Sequence, residues 1–106
     1  MVTRNKTVAQ SPQHPLVTVF EAALHQATQG KGTRHGGESK PFFEQKWLQL
    51  AKVHGNGFLT GQAEKKIAEC VESGNLENDI DAFNREILGA IVYLGMAYLH
   101  ANDLTD

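Results

Sequence analysis

The chain has 106 residues, 41% of them hydrophobic and 21% charged, with a formal net charge of −2 and a single cysteine. These proportions suit one small globular domain and leave no room for a second. Lone Cys70 excludes an internal disulfide and any multi-cysteine metal site. No apolar run reaches the ~20 residues that cross a bilayer, and the first residues lack the apolar core of a secretory signal, so a cytoplasmic protein with no membrane partner is expected.

Residues 1–10 are polar and aperiodic and read as a disordered leader, with 11–106 as one helical domain. From Ser11, "SPQHPLVTVFEAALHQATQG" predicts a first helix with prolines in its opening turn. Leu16, Phe20, Ala23, Leu24 and Ala27 recur at helical spacing, and Gly30 closes it. The glycine-rich loop "GKGTRHGG" follows and runs to about Pro41. "PFFEQKWLQLAKVHG" predicts a second helix with Phe43, Trp47, Leu50, Ala51 and His54 on one stripe, and "GNG" turns the chain. "FLTGQAEKKIAECVESG" predicts a third helix with Leu59, Ala63, Ile67, Cys70 and Val71 facing inward. After a short acidic loop, Asp79 or Asp81 can cap a fourth helix, "AFNREILGAIVYLGMAYLHA". That helix is apolar almost all round from Ile87 to Leu99, which makes it the core helix or the seam of a homo-oligomer. With no β-type alternation anywhere, the fold class is all-α, a four-helix bundle-like single domain.

Charge is unevenly spread. Up to Lys66 there are nine Lys/Arg against four Asp/Glu, and from Ile67 onward one against eight. Two solvated faces, separate anion and cation sites, or a self-complementary contact between copies would each use such a split. Glu69 and Glu72 stand three apart, on one face of the third helix, and Glu86 opens the fourth. Three carboxylates from facing helices are a donor set for a hard divalent cation such as Mg²⁺, whose shell substrate phosphates usually complete. The same acids also suit plain helix surfaces, and Glu86 near a helix N-terminus is favoured by the macrodipole alone.

"ECVE", a spacer, then "EILGAIVYLGMAYL" resembles the MazG-like all-α nucleotide pyrophosphohydrolases, whose signature is Glu-x-x-Glu, a spacer, and Glu-x-x-Asp before an apolar run containing a tyrosine. Glu69, Glu72 and Glu86 match the first three acids and Tyr93 the tyrosine, while Gly89 stands where the family has its aspartate. "RHGG", "KW" and "VHGNGFLTGQ" are similar in layout to phage-type dATP/dGTP diphosphohydrolase N-terminal domains, through His54, Phe58 and Gly61. The resemblance implies a nucleotide partner, Mg²⁺ on Glu69, Glu72 and Glu86, hydrolysis of nucleoside triphosphates to monophosphate and pyrophosphate, and an oligomer.

The loop bears on the same reading. Lys31, Arg34, His35 and Lys40 can neutralise a phosphate chain while glycine N–H groups cradle it; as a mobile connector the loop would need none of this. It is not a Walker loop, since Gly32 follows Lys31 where Ser or Thr belongs. Two other classes remain. "LAKVHGNGFLTGQAEKKI" partly imitates a DNA-binding helix-turn-helix with Lys65 and Lys66 on its second helix, but Gly61 falls where a buried aliphatic belongs and the net negative charge argues against DNA. A non-enzymatic phage or mobile-element protein that binds a host protein or sequesters a nucleotide needs no complete catalytic set, and none is present in the sequence.

Overall fold

A computed structural model of the chain describes residues 14–29, 40–73 and 79–106. The expected leader at 1–10 and the loop residues Lys31, Arg34 and His35 lie outside the described residues. Within them every regular element is helical: α1 (Pro15–Gln29), a 3₁₀ turn (Phe42–Glu44), α2 (Lys46–His54), α3 (Gly57–Ser73) and α4 (Ile80–Ala101). The all-α, bundle-like expectation holds. Among the described residues no helix is long and apolar enough to cross a membrane.

Helix boundaries follow local chemistry. α1 starts at Pro15 rather than Ser11, because His14 caps it: the Leu16 N–H donates to His14 Nδ1 at 3.1 Å and the Val17 N–H to the His14 carbonyl. Proline at the first helical position needs no N–H partner. The predicted second helix is two pieces. Phe42–Glu44 form a 3₁₀ turn, Gln45 is extended (φ −78°, ψ 162°), and only from Lys46 does an α-helix run. Aromatic packing explains the break: Phe42 and Phe43 lie 5.1 and 6.4 Å from the Trp47 ring, and the indole N–H donates to the Phe42 carbonyl at 2.9 Å. Folding the chain back to make these contacts takes Gln45 out of helical geometry; its side chain, almost fully buried, donates to the Lys40 carbonyl. Gly55 ends α2 with φ +83°, a conformation glycine adopts without the Cβ penalty. Asp79 is the N-cap of α4, its Oδ1 accepting from the Ala82 N–H at 3.0 Å.

The core joins Trp47, Leu48 and Ala51 of α2, Leu59 and Ala63 of α3, and Ala90, Tyr93, Met96 and Ala97 of α4. Each large side chain buried there contributes about 1.5–3 kcal/mol. Small residues at 63, 90 and 97 let α3 and α4 approach closely along most of their length. The Asn56 side chain fixes the α2–α3 turn to this helix pair by donating to the Ala97 carbonyl at 3.3 Å.

Several inward positions were assigned wrongly from the sequence. Ile67 and Val71 are 46% and 76% exposed. The face that meets α4 runs through Leu59, Ala63, Lys66 and Cys70, and no described element covers the positions one step round from it. His54 is exposed at the end of α2, off the core stripe, while Leu48 is buried in its place and Leu50 is only half-buried. On α1, Ala23 is the one buried residue.

Candidate functional site

Two places in the fold bring unusual groups together. The first is a polar corner between α3 and α4. Lys66, Glu69 and Cys70 occupy consecutive turns of α3, and Glu86 faces them from the first turns of α4. The Lys66 ammonium lies 3.2 Å from Glu86 Oε1, with both side chains largely buried at 13% and 26% exposure. One turn beyond Glu86, Gly89 is buried, and a Cβ placed on it would stand 3.4 and 3.5 Å from Cε and Cδ of Lys66. The lysine stem therefore runs across the α4 backbone at Gly89, a residue that lacks a side chain.

Cys70 is buried in this corner, its Sγ 3.8 Å from the Phe83 carbonyl. Burial pushes the thiol above its usual value; the negative charges of Glu86 and then Glu69 push it the same way, against a smaller opposing effect of Lys66. Glu69 is half-buried on the same face of α3 as Lys66 and Cys70. Glu72 is exposed, one turn further along α3. Among the described residues, no three His, Cys, Asp or Glu side chains form a group able to hold a metal ion. Of the four residues expected to meet phosphates, Lys40 is described: it is exposed, and its carbonyl accepts from Gln45.

The second place is an apolar groove between α1 and α4, about 380 Å³ in volume, with Phe20, Leu24 and Ala27 on one wall and Ile91, Gly95 and Tyr98 on the other. Met96 and Phe42 contribute to its floor and end. Phe20, Leu24 and Tyr98 are 55%, 64% and 65% exposed, and Leu16 continues the α1 ridge. Contiguous apolar surface of this kind is uncommon on a solitary soluble domain. Its polar fastening is slight: the Gln26 side chain donates to the Arg85 carbonyl at 3.1 Å.

Sequence reasoning passed over Lys66 as a partner of Glu86. The available signal was its position three residues before Glu69, on the face that must meet the acid-bearing start of α4. The groove was half visible. α1 carries apolar residues at 16, 20 and 24 as well as 23 and 27, an arc wider than one packing partner can cover.

The helix-turn-helix expectation maps onto α2, the Gly55–Asn56 turn and α3. There Gly61 is exposed, with open space where a side chain would project, Lys65 is exposed, and Lys66 is held by Glu86. No model of a known protein family matches the chain, and neither a curated protein nor a solved structure matches it.

Proposed function

We propose that this protein is a non-enzymatic, self-associating helical module whose α1–α4 groove is filled by α1 of a second copy. The half-exposed apolar ridge beside an apolar groove carries the reading. The segments outside the described residues, 1–13, 30–39 and 74–78, contain no aromatic residue and a single leucine. Apart from Met1, Val2, Val8 and Leu76 they carry no large apolar side chain, so the α1 ridge of a second copy is the richest apolar stripe on offer.

A second copy fits by length and chemistry. Leu16 to Leu24 on α1 and Ile91 to Leu99 on α4 each cover nine residues, about 12 Å of helix from first to last. A two-fold arrangement lays each α1 ridge into the other copy's groove, so that two α1–α4 pairs complete a four-helix bundle. Phe20 and Tyr98 supply the large aromatic anchors that dominate such contacts.

Sedimentation or light scattering across micromolar concentrations tests it. The wild type is expected to be a dimer, and Leu24→Glu a monomer with unchanged far-UV circular dichroism. A wild type that stays monomeric throughout overturns self-association and passes the groove to a partner of different sequence, such as a host protein.

A second reading has one observation in its favour, the shared electrostatic influence of Glu69 and Glu86 on Cys70. In it, Mg²⁺ on Glu69, Glu72 and Glu86 holds the phosphate chain of a nucleotide, assisted by Lys31, Arg34, His35 and Lys40. Calorimetric titration with dATP and dGTP decides it: heats that require Mg²⁺ and vanish in Glu69→Gln support it, and silence removes it.

A further inference from the structure

We infer that Lys66 is the resident cation of the acidic corner: its ammonium takes the place of a divalent metal beside Glu86, with its stem lying over Gly89 of α4. The inference is independent of the groove and opposes the metal-bound nucleotide reading, which needs Lys66 displaced.

Three observations carry it. The ammonium is 3.2 Å from Glu86 Oε1 in a corner that excludes most water. The stem passes over Gly89, where an added Cβ would stand in van der Waals contact with its Cε and Cδ at 3.4 and 3.5 Å. Glu69, three residues along the same helix, is half-buried on the face of α3 that carries Lys66 and Cys70. A tethered ammonium neutralises the Glu86 carboxylate at 3.2 Å and needs no further ligands to do so. Mg²⁺ requires near-octahedral oxygen ligands at about 2.0–2.1 Å and gives up its own waters reluctantly. With Lys66 in position and no acid at 89, the corner provides the charge balance of a metal site and not its ligand set.

The test uses the metals alone. Thermal unfolding of the wild type, of Lys66→Gln/Gly89→Asp, and of that double variant with Glu86→Gln is followed with Mg²⁺ or Mn²⁺ against a monovalent salt of matched ionic strength. The wild type is expected to ignore both divalent ions. The double variant is expected to melt at a higher temperature in their presence, and Glu86→Gln to abolish that gain. Wild-type stabilisation by Mg²⁺ that depends on Glu86 overturns the inference, as does a folded double variant indifferent to both ions. If the double variant fails to fold, Mn²⁺-induced broadening of amide resonances decides. Selective loss of signals near 66–70 and 86–89 in Lys66→Glu, which exchanges the cation for a further carboxylate, but not in the wild type supports the inference; the same loss in the wild type, or none in Lys66→Glu, overturns it.

Discussion

α4 is flanked by α3 on one side and α1 on the other, and the two contacts are finished differently. Toward α3, Leu59, Ala63 and Cys70 are almost completely buried, the Lys66–Glu86 pair closes the far end, and Asn56 fastens the near end to the Ala97 carbonyl. Toward α1, a single alanine is buried, one glutamine reaches across, and Phe20 and Leu24 stand more than half exposed. Burial makes the first contact the more complete of the two, with Asn56 Oδ1 left buried and without a hydrogen-bond partner among the described residues. The second leaves apolar area that no described element covers, so the same helix serves as a core element along one edge and lines an open groove along the other.

The contrast is sharpest in core truncation. Leu59→Ala, at a side chain with no exposed surface, is expected to cost about 2–5 kcal/mol of stability in urea or guanidinium unfolding. A cost well under that range would mean the α3 side is looser than its burial implies. Fastening is the next test. Asn56→Ala removes a bond in a partly buried setting and should cost about 1–2 kcal/mol, whereas Gln26→Ala, at an exposed site, should cost less than about 1 kcal/mol by the same measurement. Equal costs would erase the difference between the two sides.

The smallest effect is a pH dependence confined to the α3 side. Burial, Glu86 and Glu69 raise the Cys70 thiol above its value in the unfolded chain, so the unfolded chain loses the proton first as pH climbs. Stability tied to the neutral thiol is complete at neutral pH and is lost as the solution becomes alkaline. Relative to Cys70→Ala, the wild type should therefore lose ground between neutral pH and pH values above the ordinary thiol range. A constant difference across that span would place the thiol in contact with water.

Much of this architecture was legible in the residues. Gly55 as a stop, Asp79 as one of two candidate caps, and the periodicity of Leu59, Ala63 and Cys70 are local signals, and each helix they imply lies within a few residues of its expected place. What failed depended on neighbours. Ile67 and Val71 carry the apolar chemistry of a core face, yet periodicity cannot say which sides of a helix have something to lean on. The break at Gln45 arises from rings on either side of it, a tertiary effect no helix propensity encodes. For the acidic corner, spacing put Glu69 and Glu72 on one face, but only the packing of α3 on α4 sets Lys66 against Glu86 and its stem over Gly89. The groove escaped for a related reason: an apolar arc on α1 marks surface that prefers to be covered without marking what covers it.

Trp47 is the sole tryptophan, wedged against Phe42 and Phe43 with its indole N–H held by a carbonyl. Intrinsic fluorescence is therefore a local gauge of the α2–α3–α4 assembly and has little sight of α1. A solution in which α1 has peeled away would keep its emission spectrum while losing ellipticity, and separate unfolding curves from the two optical signals would show the molecule coming apart in two steps.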